Sequence, residues 1–124
     1  MKEKEKNNRK VTLKLFDTYI KVIKNSLGTK MFRNNYAEVE GKYEDITKDG
    51  DLSCAFYLSS ILLMFKLVGS VHSTVLSTVA DMKKNGWTET KKPTSGDVVV
   101  WGEEKDGNHK HIGFILDNGE AISN

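Results

Sequence analysis

The chain has 124 residues, 38% hydrophobic and 29% charged, with a formal charge of +2, three histidines and one cysteine. That length fits one domain around one core, and so small a charge, carried by scattered basic residues, gives no footprint for nucleic acid. A single cysteine excludes an internal disulfide but is compatible with either a reducing or a secretory compartment.

No signal peptide is visible, because Lys14, Asp17, Lys21 and Lys24 interrupt Val11 to Leu27. The chain is cytoplasmic as written, its true compartment undetermined. The longest uncharged stretch, Leu52 to Phe65, is shorter than the roughly 20 residues a membrane span needs.

Residues 1–10 are polar and alternately charged, with nothing to bury, and read as a disordered or fraying head. Residues 11–124 read as the single domain. From Val11, the apolar residues Leu13, Phe16, Ile20, Ile23 and Leu27 recur at three- and four-residue intervals, which predicts an amphipathic helix stopped by Gly28. Thr29 to Asp51 has breakers at Asn34-Asn35, Gly41 and Asp49-Gly50 and no sustained period, so it reads as mostly loop. Tyr36 and Tyr43 stand out there: a tyrosine shortly ahead of a nucleophile can reach over a reacting centre, although most loop tyrosines pack.

Asp49-Gly50-Asp51 is turn chemistry, and the apolar run from Ala55 to Leu67 has the density of a buried helix, with Asp51 or Ser53 placed to cap it. Cys54 then falls in the first turn. The positive end of the helix dipole favours a thiolate there, which suits a nucleophile; free cysteines also commonly just fill space. After Gly69-Ser70, Ser73-Thr74 can cap a helix from about Val75 to Lys84, ended by Gly86, with His72 at the junction as a loop or capping residue.

From Trp87 the pattern turns to strands. Trp87 to Thr90 alternates briefly, Pro93 to Gly96 is a turn, and Asp97 to Trp101 is β-branched and apolar. His111 to Leu116 follows a polar loop, and Asp117-Asn118-Gly119 makes a hairpin into Glu120 to Asn124. Helices first and an antiparallel meander last predict an α+β domain.

A cysteine nucleophile needs a base and a group that orients the base. Of His72, His109 and His111, the last is best placed, because it opens a strand of the sheet on which the cysteine helix would pack. The following hairpin returns Ser123 and Asn124 to the level of His111. A strand presents only one of two successive side chains to a given face, and an amide orients an imidazole better than a hydroxyl does, so Asn124 is preferred and Ser123 kept as the alternative. A metal site of His109, His111 and Cys54 lacks a recognised closed zinc spacing, and no metal or cofactor is expected.

Leu52-Ser53-Cys54-Ala55-Phe56, Gly86-Trp87, Pro93 with Gly96-Asp97-Val98-Val99-Val100-Trp101, His111-Ile112-Gly113-Phe114-Ile115 and Asn118 to Ser123 together resemble the NlpC-type cysteine peptidases and their CHAP amidase relatives. The resemblance runs from about Tyr43 to Asn124. It implies a papain-like α+β fold, Cys54 as nucleophile, His111 as general base and acid, and Ser123 or Asn124 as third member. It also places Tyr43 near an oxyanion- or substrate-binding tyrosine and makes Asp97 and Trp101 structural.

The implied substrate is a peptide or peptidoglycan fragment, cleaved by a monomer at a peptide or amide bond. The implied pattern is departed from in Ser53-Cys54-Ala55-Phe56, where relatives have Asp-Cys-Ser-Gly, and in the end at Asn124, where relatives usually continue into further strands. The alternative is a non-catalytic cell-wall or peptide-binding module on the same fold. An acyltransferase would use the same residues in the same order.

Overall fold

A computed structural model describes residues 9–50, 52–102 and 111–123. The elements in chain order are α1 (Leu15–Asn25), β1 (Tyr36–Val39), β2 (Lys42–Asp45), α2 (Cys54–Met64), α3 (Val75–Lys84), β3 (Val98–Trp101), β4 (His111–Ile115) and β5 (Ala121–Ile122). They form a small α+β protein with one antiparallel hairpin, β1-β2, and one antiparallel three-stranded sheet ordered β3-β4-β5.

α2 is the centre of the core. Its apolar residues are not confined to one stripe: Ala55, Tyr57, Leu58, Ile61 and Leu62 are all buried, as a helix packed on several sides requires. It lies against β4, whose Ile112 and Phe114 are fully buried. Phe114 receives two rings edge-on, Tyr57 from α2 at 5.8 Å and Tyr19 from α1 at 6.0 Å. Each tyrosine hydroxyl has a partner, Tyr19 donating to the carbonyl of Gly96 at 2.6 Å and Tyr57 lying 2.6 Å from the Ser26 hydroxyl. Burial raises both phenols above their ordinary range, so they stay neutral and serve packing.

The register pairs Val98 with Phe114 and Val100 with Ile112, which puts these four side chains on the helix side of the sheet. Val98, Phe114 and Leu116 join the core, whereas Val100, near the strand end, is partly exposed. Gly113 is fixed by its neighbour: a Cβ there would lie 2.2 Å from the Ile122 carbonyl oxygen, so the path of β5 admits only glycine.

The helix ends follow ordinary capping chemistry in α3. Thr74 accepts a hydrogen bond from the Ser77 N–H, and Gly86 (φ 93) lets the Trp87 N–H reach back to the Met82 carbonyl. Asp81 ties α3 to the preceding loop by accepting from the Gly69 and Ser70 N–H groups and lying 2.6 Å from the His72 ring. His72 is thus a structural partner of Asp81, and these bonds hold the Asp81 carboxyl below the usual carboxylate range.

Four expectations change. The first helix begins at Leu15, not Val11: Lys14 offers no side-chain cap, and Val11 and Leu13 are both 75% exposed. Its buried face is centred on Tyr19 and Ile23, leaving Phe16 and Leu27 outside. Trp87 to Thr90 is not a strand, because the Trp87 indole is tied to the Leu67 carbonyl at 2.9 Å beside α2. The segment read as loop contains the β1-β2 hairpin, turned by Glu40 and Gly41, both at positive φ (51 and 79).

Candidate functional site

Cys54 is the first residue of α2, partly buried and packed against the core. The entry to the helix is built from the loop before it. Leu52 N–H bonds to the Thr47 carbonyl at 2.8 Å, and Ser53, buried at the N-cap, donates its hydroxyl to Gly50 at 3.0 Å. The Ser53 hydroxyl therefore caps nothing in α2, and no acidic residue occupies the first turn. Asp51, the other expected cap, lies outside the described residues.

That loop is held in turn by one carboxylate. Asp45 accepts from the N–H groups of Asn35, Thr47 and Asp49, from the Thr47 hydroxyl and from the Asn34 amide, which holds its carboxyl far below the usual range. The buried Thr47 hydroxyl shares its one proton between Asp45 and the Arg33 carbonyl, and Arg33 pairs with Asp49 at 3.0 Å. A hydrogen-bonded knot thus ties the base of the hairpin, through Thr47, Asp49 and Gly50, to Leu52 and Ser53 ahead of the cysteine.

His111 opens β4, the strand on which α2 packs. It is opposite Trp101 in the register, and alternation sets its side chain on the face away from Ile112 and Phe114. Its ring stacks on the Trp101 indole, centroids 5.8 Å apart and 29° between planes. Gly102, at φ 72, leaves room for it: a Cβ there would come within 2.9 Å of the imidazole. Among the described residues no hydrogen bond joins His111 to Cys54.

Ser123 donates its hydroxyl to the Ile112 carbonyl at 2.8 Å, so it closes the end of the sheet. Asn124 and His109 lie outside the described residues. Tyr43 is 77% exposed, on the hairpin, stacked face to face with Tyr36 at 5.3 Å. Asp97 accepts from the Thr94 N–H at 2.8 Å, which shapes the turn before β3. Among the described residues no cluster of three or more metal-ligating side chains occurs, and no helix is long and apolar enough to cross a membrane.

Two pairings escaped sequence reasoning. Trp101 against His111 follows from the β3-β4 register, which the sequence pattern alone does not set. Tyr36 against Tyr43 was signalled by Glu40-Gly41 between two alternating segments, a two-residue hairpin turn. No family model, curated protein or solved structure matches the chain.

Proposed function

We propose that this protein is a thiol hydrolase of peptide or amide bonds, with peptidoglycan stem peptides as its substrate class. The observation that carries the reading is that the one cysteine opens a buried helix packed on the strand that His111 begins. In this reading the Cys54 thiolate attacks the substrate carbonyl carbon, and N–H groups of the first turn of α2 receive the charge that develops on the carbonyl oxygen. The C–N bond breaks as the His111 imidazolium protonates the leaving amine. Water then attacks the thioester, His111 takes its proton, and the acid product leaves with the thiol restored.

Proton transfer between the two residues requires the His111 side chain, set by alternation on the face of β4 away from α2, to leave the Trp101 ring and turn round the start of the strand toward Cys54. Asn124 remains the candidate to orient the imidazole, with Ser123 bound elsewhere. Tyr43, exposed on the hairpin, is assigned to substrate contact.

The stacked resting place of His111 supports a second reading, a binding module on the same fold without turnover. Hydrolysis of a peptidoglycan stem peptide by the purified protein separates the two. The hydrolase reading expects turnover that Cys54→Ala abolishes and His111→Ala lowers about 10²- to 10⁴-fold. Binding of the peptide without cleavage by the unaltered protein would install the second reading instead.

A further inference from the structure

The β1-β2 hairpin carries a run of exposed side chains, with only Ala37 and Asp45 partly buried in its two strands. One face presents Tyr36, Glu38 and Tyr43; the other presents Val39, Lys42 and Glu44; Glu40 stands at the turn. The two tyrosine rings are parallel within 5° and 56% and 77% exposed. Among the described residues, the exposed side chains of Glu38, Glu40 and Glu44 take part in no hydrogen bond or ion pair, and the strands themselves hold only one cation, Lys42. This is a local negative field on a chain whose formal charge is +2.

Exposed aromatic faces beside unneutralised carboxylates match one chemistry closely. A guanidinium stacks flat on a tyrosine ring and donates to a carboxylate from its edge, doing both at once. Nucleic acid and anionic membrane surfaces would be repelled, and a neutral apolar strand would leave the glutamates without partners. The backbone adds a second feature: the hairpin is a two-stranded sheet that pairs with no further strand among the described residues. Such edges accept an extended segment, whose alternate side chains then fall on one face.

We propose that the hairpin is a docking surface for an extended, arginine-bearing segment of a partner polypeptide. Its guanidinium groups lie against Tyr36 and Tyr43 and pair with Glu38 on the same face and with Glu40 at the turn, while Glu44 on the opposite face adds to the negative field. This surface shares Tyr43 with the substrate contact proposed above, but arginine binding there needs neither Cys54 nor His111 and stands whether or not the hydrolase reading does.

The test is a titration of the full chain with an end-blocked peptide of four Arg-Gly repeats, compared with Ser-Gly and Glu-Gly repeats of equal length. The Arg-Gly peptide alone should bind, more weakly as salt rises. Replacing both tyrosines, Tyr36→Leu with Tyr43→Leu, should weaken it about five-fold or more, in line with the modest worth of two exposed cation–ring contacts. Replacing Glu38, Glu40 and Glu44 by Gln should weaken it at least as much and flatten the salt dependence.

Equal binding of the Ser-Gly peptide would overturn the proposal. So would undiminished Arg-Gly binding by the tyrosine variant. Should that variant lose its hairpin, seen as lost amide protection, the glutamine variant decides, since it keeps every apolar contact: unchanged affinity there overturns the proposal.

Discussion

The two sheets of this protein are held together by different physics. The three-stranded sheet owes its order to burial: Ile112 and Phe114 are fully buried, and the aromatic contacts of Tyr19 and Tyr57 on Phe114 lock α1 and α2 to one strand. The hairpin buries almost nothing and is fastened at its base by the carboxylate of Asp45. An isolated hairpin is marginal in water, so this one depends on a charged group. The lesson is that the two parts should fail separately, one to cavities and the other to acid.

The largest effect is expected at Phe114. Truncation to Ala leaves a hole where three rings meet and should cost roughly 3 to 5 kcal/mol, enough to unfold much of a small domain. Chemical denaturation read by circular dichroism checks it; a loss under about 1 kcal/mol would show that the sheet and helices do not share one core.

Gly113→Ala comes next. The new methyl cannot coexist with the Ile122 carbonyl 2.2 Å away, so β5 must move, at a cost of about 1 to 3 kcal/mol. Amide exchange should show β5 losing protection while α2 keeps it.

Asp45→Asn should have the smallest global effect and a sharply local one. An amide puts hydrogens where N–H groups of Asn35, Thr47 or Asp49 already point, so the hairpin and the loop to Cys54 should lose exchange protection while β4 holds. Acid should do the same to the unaltered chain. Because the folded carboxyl titrates lower than the unfolded one, its contribution is complete above the ordinary carboxylate value near about 4 and disappears as pH falls through the lower folded value. Hairpin amides should therefore open before those of β4 during acid titration.

The same contrast explains what could be read from the sequence. α2, α3 and the meander were legible because burial writes itself as apolar density, caps and β-branched runs: Ala55 to Leu67, Thr74 with Gly86, Val98 to Val100. The hairpin was not, since Glu38, Glu40, Lys42 and Glu44 resemble a polar loop and the stabilising contacts converge on Asp45 from Asn34, Asn35, Thr47 and Asp49, with no period to reveal them. The limits of α1 were misjudged for a related reason: Val11 and Leu13 continue the helical spacing, but nothing covers them and nothing caps them. At the candidate site, the positions of Cys54 at a helix start and His111 at a strand start followed from pattern. The direction of the imidazole did not, because it depends on the cross-strand partner Trp101 and on the space left by Gly102.

If Cys54 and His111 act as one unit, as proposed, the histidine sets the reactivity of the thiol, and alkylation of Cys54 reads that reactivity. Labelling of Cys54 by iodoacetamide near neutral pH should be fast in the unaltered protein and at least about ten-fold slower in His111→Gln, with thermal stability unchanged, because the imidazole no longer takes the thiol proton. Identical labelling rates in the two proteins would show that the histidine does not activate the cysteine, and the hydrolase assignment would fail.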